Sequence, residues 1–381
     1  MNHTHSAAAQ RQLCGLDGLR GVACLMVFGV HFGQIAKLYG NAGPFDLARL
    51  IENGNSGVAL FFGLSGFLLG LPFWRAMLQG RALPSIGRYF AHRLARVVPA
   101  YFLCLTALIV ANRLWLERDW QRDALLHYAF AFNFFDTSIF SINPPFWTVA
   151  VEMQFYLLLP VLFFGCWRLR ADQAAVGAVV LAIVAYAAHG LIAANSAARL
   201  SAGDQLSPVL TYSLLAHLPH FLLGVVTGWF FTRHSRLNWS PSEKTVLWKE
   251  VALWLSGALL LVIFATPLDE LLQVPYGRYN LPVVPLLFCL VIVLAPLTAT
   301  GWLLLHKSPL RGVGCVSYGV YLYHLPVLHV VARILPRYAM NAQDDWFVFA
   351  VTSLSLTLGV ATLSYHLFEK PIRRLVTGQI R

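Results

Sequence analysis

Apolar residues in this chain do not alternate with polar ones. They form continuous runs separated by short connections that hold most of the charges. Runs of about twenty apolar residues match α-helices that cross a hydrocarbon layer about 30 Å thick. The two-residue alternation of a β-barrel strand is missing. The pattern predicts ten spans, at 19–38, 56–74, 94–112, 147–167, 174–193, 208–231, 251–267, 281–303, 313–335 and 346–368. The segment 124–140, ALLHYAFAFNFFDTSIF, is also apolar, but it is short and interrupted by Asn133 and Asp136. It reads as a re-entrant or interfacial piece on the outer side, with an eleventh span as the alternative. The predicted fold is therefore an all-α polytopic membrane protein with about ten transmembrane helices.

Charge fixes the orientation of these spans. With the N-terminus inside, 19 of the 28 Lys and Arg fall on the inner side and 12 of the 17 acids on the outer side. The inner side then carries +14 and the outer side −3, so N-in and C-in is the expected topology. The domain expectation is a cytoplasmic N-terminal segment at 1–18, one transmembrane domain at 19–368 and a cytoplasmic basic tail at 369–381. The longest inner connection, about 232–250, is too short to fold alone, and no internal repeat is evident. The first span is expected to act as the targeting signal.

Composition agrees with this class. Of 381 residues, 58% are apolar and only 12% charged, against about 25% charged in soluble domains. The net charge of +11 sits in short connections and is not a nucleic-acid signal. Six cysteines are scattered without a CxxC or CxxH pair, so they read as small core residues rather than a disulfide or metal framework. There is no phosphate loop, no GxSxG elbow and no HExxH motif.

Against this background a few polar residues stand out. Arg20 and His31 lie eleven residues apart in LDGLRGVACLMVFGVHFG, nearly three helical turns. They share a face, about 16 Å apart along the axis, with Asp17 a turn below Arg20. That spacing puts Arg20 at one membrane surface and His31 near mid-bilayer. An imidazole is costly to bury there and suited to accepting a proton from an alcohol.

Before the third span, RYFAHRLARVVPAYF offers Arg88, His92, Arg93 and Arg96, grouped towards one side of a helix. They read either as ordinary positive-inside flanking or as a docking surface for a phosphorylated ligand, for which the planar fork of arginine is suited. Pro99 is placed to kink that span. In NPPFWTVAVEMQFYLLLP, Glu152 lies about 7 Å inside the outer boundary. It needs a cationic or hydrogen-bonding partner there, and it could polarise His31, bind a hydroxylated substrate or pair with an arginine. Ser317, Tyr321 and His324 follow one helical face of SYGVYLYHLP, and YHLFEKPIRR places Glu369 just before Pro371, which is expected to end the last helix.

These segments, in this order, resemble the acyltransferase 3 family of membrane-bound O-acyltransferases. The matching pieces are LDGLRG with Arg20 and His31, FFGLSGFLL, RLAR with Arg93 and Arg96, FWTVAVEMQFYLLLP, SYGVYLYHLP and FEKPIRR. The resemblance implies a ten-helix fold in a bacterial inner membrane. It implies transfer of an acyl group, acetyl by default, from cytosolic acyl-CoA to a hydroxyl of a cell-surface or secreted glycan. Acyl-CoA would be a donor substrate, with no permanently bound cofactor and no metal.

His31 matches the family's catalytic histidine, Glu152 its glutamate after the tryptophan, and Arg20, Arg93 and Arg96 its functional arginines. Asp17, Ser317, Tyr321 and His324 are the supporting candidates. Where many relatives carry a second acid after that glutamate, this chain has Met153. The SGNH hydrolase-like domain of many relatives is not expected, which implies a stand-alone transferase or one served by separate glycan-assembly proteins. The rival reading of the buried His31 and Glu152 is a proton-coupled transporter or flippase of a glycan or small polyol.

Overall fold

The computed structural model describes residues 13–38, 46–197, 207–234, 243–266, 282–376 and 378. Residues 1–12, the middle of the 232–250 connection and the last residues of the basic tail lie outside the described residues. Among the described residues every regular element is a helix. The principal helices are α1 (Leu16–Ala36), α2 (Leu47–Glu52), α3 (Ser56–Gln79), α4 (Ile86–Ala111) and α5 (Trp120–Tyr128). They continue with α6 (Trp147–Gly165), α7 (Ala171–Ala197), α8 (Leu214–His234), α9 (Glu243–Ala265) and α10 (Val283–Leu294). The last four are α11 (Leu310–Cys315), α12 (Ser317–Ile334), α13 (Trp346–Ser364) and α14 (Lys370–Val376).

Among the described residues, eight stretches are long and apolar enough to cross a membrane, or nine if one bent pair counts as a single span. The protein is therefore a multi-pass, all-α membrane protein, and among the described residues the candidate spans number one or two fewer than the ten expected. One reason is α12. The helix forms, but it carries three tyrosines and two histidines, and its composition falls short of a membrane span.

The run expected at 281–303 is not one straight helix. It turns by 83° between Val283–Leu297 and Ala299–His306. Pro296 lacks an N–H, and Thr298 adopts an extended conformation. The Thr298 hydroxyl then accepts from the Gly301 N–H, while the Glu250 carboxylate accepts from the N–H groups of Ala299 and Thr300. The donors exposed by the break are thus satisfied, as at a capped helix start.

Two other expectations change. Residues 124–140 are not an eleventh span: α5 ends at Tyr128, and tight turns follow, one of them a 3-10 turn at Phe132–Phe134. Pro371 does not end the last helix. A π-helical turn over Tyr365–Glu369 leads into α14, whose second residue is Pro371, so the missing N–H falls where the helical ladder is already rewound. Pro99 lies inside a helix that runs unbroken from Ile86 to Ala111.

The chain divides into two compact units. The first holds residues 1–67 and 230–361, the second residues 68–229 and 362–381. In the first unit α1 is the central element. Phe28, Phe32 and Ala36 pack with Leu328, Val331, Leu335 and Phe349 of the following helices, and Phe32 stacks on Phe349 at 5.4 Å between centroids. The other end of α1 touches α11 backbone to backbone. A Cβ on Gly314 would stand 1.6 Å from the Asp17 carbonyl oxygen, and one on Gly21 would stand 2.3 Å from that of Leu310. Small residues permit such approach, which is how helices in lipid gain packing energy.

In the second unit aromatic side chains fill the contacts. Phe73 stacks on Phe163 at 4.6 Å, Phe155 on Phe221 at 4.1 Å, and the Trp74 indole donates to the Val225 carbonyl at 2.7 Å. Three of the six cysteines are buried, and Cys315 is exposed.

Candidate functional site

The candidate residues fall into two groups, one in each unit. In the first unit, Arg20, Cys24, Val27 and His31 follow one another at spacings of four, three and four along α1, a single stripe. The Arg20 Nη1 donates to Asp17 Oδ1 at 3.2 Å, so the guanidinium charge is balanced on its own helix. Eleven residues further on, His31 is half-buried. Its Nδ1 lies 3.1 Å from Gln34 Oε1. A carboxamide oxygen only accepts, so Nδ1 carries the proton and Nε2 keeps the lone pair.

Helix α12 brings a second imidazole to this point. The His324 ring lies 5.1 Å from that of His31 between centroids, at an interplanar angle of 38°. His324 Nδ1 donates to the Tyr321 carbonyl at 2.7 Å, which leaves its buried Nε2 as the bare nitrogen, without a hydrogen-bond partner among the described residues. Ser317, Tyr321 and His324 are all buried, as are Gly319, Val320, Leu322, Tyr323 and Leu325 around them, so this part of the helix is enclosed on every side. Tyr321 meets Phe61 edge-on at 5.9 Å. His329, one turn beyond His324, interacts electrostatically with His31.

In the second unit the four basic residues of α4 do not form one surface. Arg88 and His92 are exposed, whereas Arg93 and Arg96 turn inward and are half-buried. The four lie along one arc of the helix in the order 88, 92, 96, 93, and the boundary between exposed and half-buried falls between His92 and Arg96. Helix α6 supplies the opposing groups. The Tyr156 hydroxyl donates to Glu152 Oε1 at 2.6 Å. Both arginines act electrostatically on Tyr156, and Arg93 also on Glu152. The Arg93 guanidinium sits 6.0 Å from the Tyr89 ring centroid, and its Nε is buried without a hydrogen-bond partner among the described residues. From the last helix, buried Glu369 faces the Ser364 hydroxyl at 3.5 Å and interacts with Arg96 and Arg373.

Glu152 thus has a hydroxyl donor and a cation as partners, which is the arginine-pairing alternative among those read from the sequence. Sequence reasoning missed Tyr156, Gln34 and His329. Tyr156 follows Glu152 by four residues and Gln34 follows His31 by three, spacings that place side chains side by side on a helix. His329 carried no such signal. Among the described residues no three His, Cys, Asp or Glu side chains converge on a metal-sized site.

Comparison with known proteins bears on this arrangement. BcsY of Komagataeibacter xylinus, named as a candidate membrane-bound transacylase, is 27% identical over 93% of this chain and 81% of its own length. Nodulation protein 10 of Rhizobium leguminosarum bv. viciae is 25% identical over 85% of this chain and 83% of its own. The O-acetyltransferase OatA of Staphylococcus aureus is 24% identical over 96% of this chain, which spans 58% of that longer relative. No solved structure matches. The family model for the acyltransferase domain, Acyl_transf_3, matches residues 15–366, which takes in every candidate residue except Glu369 and Arg373. The chain therefore belongs to the acyltransferase 3 family and is a multi-pass membrane acyltransferase.

Proposed function

We propose that this protein moves an acyl group, acetyl by default, from cytosolic acyl-CoA to a hydroxyl of a cell-surface or secreted glycan at a bacterial inner membrane, with N- and C-termini in the cytoplasm. The observation that carries the reading is His31, held through Nδ1 by Gln34 and faced by a second imidazole, that of His324. The names of the relatives BcsY and OatA, a transacylase and an O-acetyltransferase, agree with that chemistry.

The acceptor hydroxyl gives its proton to His31 Nε2 as its oxygen attacks the thioester carbonyl. The carbon–sulfur bond then breaks, and the imidazolium returns the proton to the departing thiolate. Direct transfer needs this one proton relay and no covalent acyl-enzyme. Arg93 and Arg96 hold the phosphates of the donor, and Arg20 lines its entrance beside Asp17. Glu152, bonded to Tyr156 and acting on Arg93, is a positioning residue for that guanidinium. His324 positions His31, with Ser317 and Tyr321 fixing the helix face that presents it.

Mass spectrometry of surface glycans tests this. Cells carrying His31→Ala are expected to lose the acyl modification while the protein remains at its normal level in the membrane. Unchanged modification in those cells contradicts the reading.

A further inference from the structure

Away from both groups, the second unit holds a cavity of about 460 Å³ formed by the end of α4, the start of α5 and the turns before α6. That is within the range of about 300–1,000 Å³ typical of small-molecule sites. Its walls are unlike the apolar surface around it. They carry Glu117, Arg118, Asp119, Trp120, Arg122 and Asp123, with Thr137, Ser138 and Ser141 opposite.

The charges alternate in sign within a few residues, so they do not add up to a phosphate cradle or a cation cage. They offer acceptors and donors in turn, which is what a neutral polyhydroxyl ligand requires: each sugar hydroxyl both gives and takes a hydrogen bond. Trp120 adds an indole, half-buried, for the C–H face of a ring to lie on.

The cavity is also held in shape from behind. Asp123 Oδ2 accepts from the Ser141 hydroxyl at 2.6 Å, which ties α5 to the turn opposite. His127, fully buried and stacked on Phe132 at 4.1 Å between centroids, donates through Nδ1 to the Asp123 carbonyl at 2.9 Å. Tyr101 of α4 donates to the His127 carbonyl at 3.1 Å. Arg122 lies against the Phe135 ring at 5.2 Å. These contacts keep Asp123, Ser141 and Arg122 in place before a ligand arrives.

We infer that this cavity is a carbohydrate-binding subsite that holds a neutral segment of the acceptor glycan outside the reacting position. The assignment of the ligand as the acceptor rests on the function proposed above; the polyhydroxyl chemistry of the walls does not.

The test uses the full-length protein purified in detergent. The probe is the set of neutral oligosaccharides released by mild acid from the surface glycan of cells lacking this protein. Binding is read by saturation-transfer NMR and by titration. The wild type is expected to bind. Trp120→Ala and Asp123→Asn are expected to weaken binding by tenfold or more, and Trp120→Phe is expected to retain most of it. Leu125→Ala, on the exposed face of α5 outside the lining, is expected to bind as the wild type does.

Thermal unfolding of each variant separates a lost site from a lost fold, and Asp123→Asn and Trp120→Phe keep the test decisive if Trp120→Ala does not fold. Equal binding by wild type, Trp120→Ala and Asp123→Asn overturns the inference, because the sugar then sits elsewhere. So does absence of binding by a wild-type protein that still supports His31-dependent acylation in cells. Loss of acetyl-CoA binding in the Trp120 and Asp123 variants also overturns it, by making the cavity a donor site. Failure of the underlying reading looks different: acylation in cells is then independent of His31, whatever the oligosaccharides do.

Discussion

The two groups of polar residues differ in how the protein makes burial tolerable. Around His31 and His324 the partners are neutral: a carboxamide oxygen and backbone carbonyls fix one nitrogen of each ring and leave the other bare. Around Arg93 and Arg96 the partners are charged or strongly polar: Glu152, Tyr156 and Glu369 face the guanidinium groups. The first arrangement keeps a base that can take a proton and give it back. The second keeps cations in place for an anionic ligand, at the cost of holding carboxylates beside them. On the function proposed above, polarity without charge would serve proton transfer and opposed charges would serve binding.

The largest expected effect falls on the neutral group. His31→Ala is expected to lower acyl transfer by about 10²–10⁴-fold, the usual contribution of a general base, with acyl-CoA binding little changed. A fall of less than threefold breaks the distinction between the two groups. On the charged side, Arg93→Gln and Arg96→Gln are each expected to weaken acyl-CoA binding by about tenfold, or about 1.4 kcal/mol, while acceptor binding holds. Equal loss of both ligands shows a general folding role instead.

Glu152→Gln sharpens the comparison further. It removes the charged acceptor of Tyr156 and is expected to lower stability by about 1.5–3 kcal/mol, more than Tyr156→Phe. An unfolding temperature equal to wild type contradicts the pairing. Gly314→Ala, which drives a methyl into the Asp17 carbonyl, is expected to cost about 1–3 kcal/mol through overpacking and to do so without changing the ratio of donor to acceptor binding.

The smallest effect is a pH dependence outside the spans. Burial lowers the basicity of His127, so the unfolded chain takes up a proton first as pH falls. The stability held by the neutral ring is full above the ordinary value of 6.5 and is lost as pH drops below it, by at most about 1.4 kcal/mol per unit. His127→Phe is expected to show a shallower fall in unfolding temperature between pH 6.5 and 5; equal slopes contradict this.

Much of this was legible in the sequence where one helix carries the information. The eleven-residue step from Arg20 to His31 and the face of Ser317, Tyr321 and His324 need only the period of an α-helix. What pairs with them across helices was not legible. Nothing in the local pattern announces that His324 meets His31, that Gly314 meets Asp17, or that Glu152 shares Arg93 with Tyr156. The break at Thr298 was hidden for a related reason. Its cap is completed by Glu250, 49 residues away, so hydropathy alone saw one continuous run.

The most direct measurement is single-turnover acyl transfer by the purified protein and its His31→Ala variant, with acyl-CoA binding measured on the same samples. The account predicts near-wild-type binding of acyl-CoA by the variant and loss of transfer by about a hundredfold or more. Transfer at the wild-type rate, or loss of acyl-CoA binding in step with transfer, contradicts His31 as the proton acceptor.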